Sequence, residues 1–245
     1  MNTRLSRVFS AVAVAGLLAT GLSGCGPGSA AAFDPPAPST QPINIVDLIN
    51  QGTIQVYPRG SGIQSVSVEI RNRTSQPVTV SIPAGTLFVP HRGSTQSMVT
   101  TGTTTQSVGA GGSVMVSCQA ACADRVRDIP GSGDSFSVQR SPHQQELASL
   151  TPVLDKAGAS FAVRQAAVWI VTDNATYSEL GILVRRPAYG GPGTRVIKEN
   201  DAARAMKLCD QAGINIRNKR IWWDRLRILN AVTDPELRAW LVSRN

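Results

Sequence analysis

The residues able to do chemistry are few: four cysteines and two histidines in a chain of 245 residues. Cys118 and Cys122 lie close together, and Cys209 follows much later. In an oxidising compartment Cys118 and Cys122 are the natural disulfide, provided the backbone between them turns. A bridge from Cys209 to either of them is the alternative; otherwise Cys209 is a small buried residue on a helix. Structural zinc takes four ligands, and with only His91 and His143 to add to the cysteines no metal or other cofactor is expected. A Cys-x-x-x-Cys pair also lacks the spacing of a thioredoxin-type redox motif.

Ordinary catalytic signatures are missing. The chain has no G-x-S-x-G elbow, no P-loop, no G-x-G-x-x-G before a helix and no H-E-x-x-H. His143 follows Pro142 and precedes two glutamines, which reads as a helix start. Asp173 and Glu179, around Asn174 and Tyr177, have the residue types of a glycosidase pair; helix caps and surface charges are the commoner use of isolated carboxylates near a turn. Gly190-Gly191-Pro192-Gly193-Thr194-Arg195 offers backbone amides and a guanidinium to an anion, or simply connects two groups of helices. No catalytic residue is assigned, and a noncatalytic protein is expected.

The elements that must position these residues change character along the chain. Val66, Val68 and Ile70 alternate with polar residues, as do Val78, Val80 and Ile82; Thr53–Tyr57, Thr86–Val89 and Val114–Val116 are further short strands between turns. Thr95 to Thr105 is polar and reads as edge strand or exposed ribbon. From His143 the period becomes helical. Leu147, Leu150 and Leu154 share one face, and Ser160 caps a helix on which Phe161, Gln165, Val168, Trp169 and Thr172 share another. Asp201 is the expected cap of a third helix, Ile221 to Val232 forms a fourth, and Asp234-Pro235 starts a last one. The expected fold is α+β: an immunoglobulin-like β-sandwich over 43–142, then a mostly helical region over 143–245.

Composition agrees with a chain that works outside the cytoplasm. Charged residues make up 16%, below the usual ~25%, and Ser, Thr and Gly fill the difference. At 42% hydrophobic the chain is not disordered, and no coiled-coil, collagen or multi-span pattern occurs. Arg4 and Arg7 precede an apolar run from Val8 to Leu22 that suits a signal sequence better than a membrane span. That run ends in Leu22-Ser23-Gly24-Cys25, which resembles the lipobox of bacterial lipoproteins. The resemblance implies cleavage after residue 24, lipid on Cys25 and membrane anchoring through it. It also implies a place in the bacterial cell envelope; Gly26, where an Asp would signal inner-membrane retention, favours an outer membrane. Residues 25–42 are rich in Pro, Gly and Ser and read as a tether.

The formal charge of +8 is uneven: residues 185–245 hold thirteen Lys/Arg against six Asp/Glu, while residues 26–184 hold nine against ten. An exported lipoprotein rarely meets nucleic acid, so the basic end points instead to an envelope protein or an anionic envelope component. Within it Trp222-Trp223 stands among Arg217, Lys219, Arg220, Arg225 and Arg227. With one indole turned inward, Trp223 and these cations form a candidate partner-binding surface; the alternative is that both rings pack internally.

One further string, Arg164-Gln165-Ala166-Ala167-Val168-Trp169, resembles the TQxA(V/I)W segment of thioester domains. There a glutamine side chain is joined to a cysteine as an acyl thioester that couples to amines. Arg164 replaces the motif's Thr, and the cysteine expected near the domain's start is missing. Only Cys118 or Cys122 could serve Gln165 in this way. The alternative is a buried helix whose alanines permit close packing and whose Trp169 fills the core.

Overall fold

Alternating apolar and polar residues turn the first half of the chain into strands, because a period of two buries one face of each. The computed structural model describes residues 41–185 and 193–244. The signal, Cys25, most of the tether and residues 190–192 lie outside them. The β half runs β1 (Ile43–Asn44), α1 (Ile45–Asn50), β2 (Ile54–Gly60), β3 (Ser65–Asn72), β4 (Val78–Ile82), β5 (Thr86–Pro90), β6 (Ser97–Thr100), β7 (Thr104–Val108), β8 (Ser113–Ala123) and β9 (Phe136–Arg140). The second half holds α2 (Gln144–Lys156), α3 (Phe161–Thr172), α4 (Tyr177–Leu180), β10 (Val184–Arg185), β11 (Thr194–Arg195) and α5 (Glu199–Gln211). Two 3-10 turns (Ile216–Asn218 and Arg220–Asp224), α6 (Arg225–Ala231) and α7 (Pro235–Ser243) complete it. The result is an α+β protein with its sheet mostly N-terminal.

Six strands form one antiparallel sheet in the order β2-β3-β8-β6-β5-β9, and β1-β4-β7 form a smaller one with β1 parallel to β4. The larger sheet curls until its outer strands touch. Arg59 bridges Ser135, and the Gly60 N–H donates to the Asp134 carbonyl at 3.0 Å. Gly60 is required there, since a Cβ would stand 2.2 Å from the Gly131 carbonyl oxygen.

The Thr-rich segment is not an exposed ribbon throughout. β6 lies inside the sheet between β5 and β8, and Thr100 is buried. Its hydroxyl donates to the Pro83 carbonyl at 2.6 Å and accepts the Thr86 N–H at 2.9 Å. A hydroxyl satisfied in this way can enter a core that its polarity alone would forbid.

The helices follow their start signals with two exceptions. Ser160 caps α3 by accepting the Val163 N–H, and Asp234 caps α7 ahead of Pro235. Asp201, expected as a cap, instead sits in the first turn of α5, where its carboxylate accepts the Lys198 N–H at 3.0 Å. The expected fourth helix is split into the 3-10 turn at Arg220–Asp224 and the short α6. α3 is buried on nearly every side, from Gln165 through Val171 without a break, as a helix apolar all round must be. Sheet and helices share one hydrophobic core. Among the described residues no helix is long and apolar enough to cross a membrane.

The Cys118–Cys122 disulfide does not form. Both residues lie on β8, and all three cysteines of the described chain are free and buried. Four residues of strand separate their Cα atoms by about 13 Å, whereas a bridge needs less than about 7 Å. The backbone does not turn there because β3 and β6 hold it extended on either side. Residues 26–245, denatured without reductant, are therefore expected to take up iodoacetamide at Cys118, Cys122 and Cys209 alike. Peptide mass mapping checks this, and a peptide two hydrogens lighter spanning both 118 and 122 would contradict the strand register.

Candidate functional site

Two places collect the residues picked out from the sequence: the end of β8, and the basic segment around Trp223. At the first, β3 stops pairing at Ser65 opposite Gln119, and the Ala120 N–H is still met by the Gln64 carbonyl. Successive residues of a strand turn their hydrogen-bonding groups to opposite edges. Ala121 and Ala123 face β6, so Cys122 turns its N–H and C=O toward the edge that β3 has vacated.

Gln165 fills that edge. Its Oε1 accepts the Cys122 N–H at 3.1 Å, and its Nε2 donates to the Cys122 carbonyl at 2.8 Å. A primary amide carries the same donor and acceptor as a peptide group, so one side chain stands in for a strand. Gln165 is 0% exposed. Two turns on, Asp173 at the end of α3 repeats the device: its carboxylate accepts the N–H groups of Asp124 and Arg125 at 3.3 and 3.1 Å. Asp124 has φ +84°, a left-handed value that Asp tolerates better than most residues. Asp173 is thus a backbone tie between the end of α3 and the turn after β8.

Cys122 and Gln165 are therefore neighbours, as the thioester resemblance required, but the contact runs through the Cys122 backbone. Burial pushes the Cys122 thiol up to about 12, with the Asp173 charge adding to it, and the Cys118 thiol up to about 11. Cys209 on α5 is likewise raised to about 12, chiefly by burial. A recess of about 430 Å³ borders this edge, lined by Gln64, Thr101, Gln119 and Arg164 as well as Gln165. Among the described residues no cluster of three or more His, Cys, Asp or Glu could hold a metal.

At the second place the six residues named from the sequence divide by role. Lys219 pairs with Glu146 at 2.9 Å, tying the 3-10 turns to α2. Arg220 pairs with Glu179 at 3.3 Å while its N–H donates to Asn174 Oδ1 at 2.8 Å. Arg227 donates to Ser178 Oγ at 3.0 Å and lies over the Tyr177 ring. Arg217 and Arg225 flank the Trp222 ring, and Arg217 also donates to the Arg244 carbonyl. Trp222 is buried and meets Trp240 edge to face, with ring centroids 6.5 Å apart. Trp223 is 72% exposed, and Leu226, three residues on, is exposed with it. The cations thus fasten the segment down, and the apolar pair faces solvent. Arg195 too is turned inward, over the Tyr177 ring and onto the Tyr177 carbonyl.

Glu179 is a cap and a half-buried ion-pair partner. It closes a capping box with Thr176 and pairs with Arg125 at 2.6 Å. The Thr176 N–H donated to it, with Arg125 and Arg220 beside it, holds its carboxyl below the ordinary range. The fastening roles of Gln165, Asp173 and Glu179 carried no sequence signal, since each depends on a partner forty or more positions away. Comparison with protein families, with curated proteins and with solved structures finds no match to this chain.

Two outcomes follow from this geometry. Gln165→Leu keeps the bulk but leaves the Cys122 N–H and C=O unpaired, at about 1–3 kcal/mol for each group; urea unfolding measures the loss. A variant as stable as the parent would remove the clamp from this account. A lowered folded pKa stabilises above the unfolded value and is lost as pH falls through the folded one. Glu179→Gln should therefore weaken the fold by roughly 1 kcal/mol at pH 7, and the difference should close as the pH drops below the ordinary carboxylate range. Urea midpoints at pH 7 and pH 3 test this.

Proposed function

We propose that the protein is a lipid-anchored, noncatalytic binding or structural module of the bacterial cell envelope, engaging its partner through the surface around Trp223. The observation that carries the reading is the exposed indole of Trp223 beside Leu226, on a segment that five basic side chains hold in place. A large exposed aromatic on a backbone segment fastened in this way, with cations at its margin, has the make-up of an interface anchor. Arg217 and Arg227 are themselves exposed and supply charge for an envelope protein or an anionic envelope component.

The anchor is the lipid on Cys25, with residues 25–42 as the tether that carries the body clear of the bilayer. In an organism with two membranes, the outer one is the proposed site. The β half is taken as an immunoglobulin-like sandwich; the buried Val80, Ile82 and Val108 of the small sheet support two facing layers.

A second reading rests on the contact between Gln165 and Cys122: a thioester formed by the Cys122 thiol on the Gln165 side chain with release of ammonia. The raised thiol and the engaged amide favour the clamp instead. Intact mass before and after methylamine separates the two, since a lost ammonia and an amine adduct would establish the thioester.

For the binding surface, a photo-reactive residue placed at 223 in the producing bacterium is expected to yield a discrete cross-linked species. The same group at Met115, exposed on β8, should not. Leu226→Asp should abolish the adduct while the fold survives. No adduct at 223 beyond that at 115 would defeat the proposal, and Cys25→Ser releasing nothing from the membrane fraction would defeat the anchor.

A further inference from the structure

The segment that carries Trp223 runs from a 3-10 turn straight into α6. Trp223, Leu226, Arg227 and Asn230 follow the i, i+3, i+4, i+7 spacing of one helical face, and all four are exposed. Trp222 and Ile228, off that face, are buried in the core. The outward face therefore joins an indole and an aliphatic side chain to polar and charged ones.

The charge around this face is not cancelled. Residues 212–245 hold seven Lys/Arg against three Asp/Glu. The acids are taken up elsewhere: Asp224 accepts the Tyr177 N–H, Asp234 caps α7, and Glu236 pairs with Lys207. Three exposed guanidiniums, by contrast, are held by neutral groups. Arg217 donates to the Arg244 carbonyl, Arg227 to Ser178 Oγ, and Arg238 to the carbonyls of Leu229 and Val232. Glu199 stands near Arg227 but faces Arg195 as well, so positive charge is left over there too. A guanidinium fixed by a carbonyl or hydroxyl keeps its full charge and can still meet a phosphate.

A body anchored at Cys25 has one anionic surface permanently beside it. The seventeen residues from Gly26 to Pro42 span about 60 Å at full extension and about 20–25 Å as a flexible chain. A tether of that length sets an effective concentration in the millimolar range. Even a weak attraction between the body and its own leaflet is then realised, while a diffusing protein partner has no such advantage. Tryptophan favours the headgroup level of a bilayer, and interfacial binding grows with apolar area and with cations beside it.

We propose that the Trp223 face docks on the membrane itself. Trp223 and Leu226 sit at the boundary of headgroups and acyl chains, and Arg217, Arg227 and Arg238 meet the phosphates of anionic phospholipid. This inference rests on the reading of the Trp223 face as the binding surface and of Cys25 as the anchor, and it names the partner. The body alone partitions weakly, so loss of the lipid on Cys25 still releases it.

The test uses residues 26–245, which contain the whole compact unit beginning at Pro38. The probes are vesicles of phosphatidylcholine, alone or with about one-third phosphatidylglycerol, carrying brominated acyl chains that quench an inserted indole. Anionic vesicles are expected to quench the tryptophan emission and to bind at least about tenfold more tightly than neutral ones, since each cation near such a surface contributes about fivefold. About 0.5 M salt should remove most of that difference. Trp223→Ala should abolish the quenching and Leu226→Asp should weaken binding about fivefold or more, whereas Met115→Ala, on exposed β8, should change neither. The lipid and salt comparisons need no variant and decide the matter even where a substitution disturbs the fold. No quenching by anionic vesicles, equal binding to neutral ones, or indifference to both Trp223→Ala and Leu226→Asp would each overturn the proposal. A protein-sized cross-link at 223 in the bacterium, without vesicle binding, would overturn it while leaving the Trp223 face standing as a binding surface.

Discussion

The unpaired edge of β8 is the constraint from which the rest of the architecture follows. Beyond Gln119 no strand remains to meet the Cys122 N–H and C=O, and both are buried where water cannot serve them. An open edge of that kind is unstable and invites pairing with a foreign chain. The helix α3 closes it with the amide of Gln165, the one polar side chain in a run otherwise made of Ala, Val, Trp and Ile. Because the two hydrogen bonds are directional, they fix where α3 lies along the sheet and how it is rotated about its own axis. Hydrophobic burial alone would leave both free to vary.

From that clamp a chain of polar contacts runs outward. Asp173 holds the backbone of Asp124 and Arg125; Arg125 reaches Glu179; Glu179 receives Arg220; and Asn174 next to Asp173 accepts the Arg220 N–H. Asp124 and Asn174, the two non-glycine residues with positive φ among those described, sit at the two turns that this chain joins. Asp224 closes the circuit by accepting the Tyr177 N–H at 2.7 Å. The 3-10 turns that present Trp223 are thus connected to the sheet through named hydrogen bonds and ion pairs. A short 3-10 segment has poor hydrogen-bond geometry of its own, so these outside ties are what give the exposed indole a defined position.

The same ties change the meaning of the basic C-terminal quarter. A charge excess in sequence reads as a free field, yet Lys219, Arg220 and Arg227 are each engaged by a group from α2 or α4 or the turn between α3 and α4. What remains outward is apolar at Trp223 and Leu226, and again at the rim formed by Val126, Ile129, Ile182 and Val184. Exposed apolar side chains at these positions are what the proposed binding role would use.

Local pattern alone sufficed for the order of β before α, the Leu147–Leu150–Leu154 face and the Ser160 and Asp234 caps, because each follows from neighbours within one or two turns of chain. Those features depend on periodicity and on short-range competition for backbone groups, which the residue order carries directly. The Cys118–Cys122 distance, the burial of Thr100, the inward pairing of the arginines and the pairing of Gln165 with Cys122 were settled only by tertiary structure. A strand stays extended or turns according to what pairs with it, and a polar side chain is buried or exposed according to which distant group meets it. Gln165 and Cys122 are forty-three residues apart, and no local signal relates them until the sheet has formed and left its edge open.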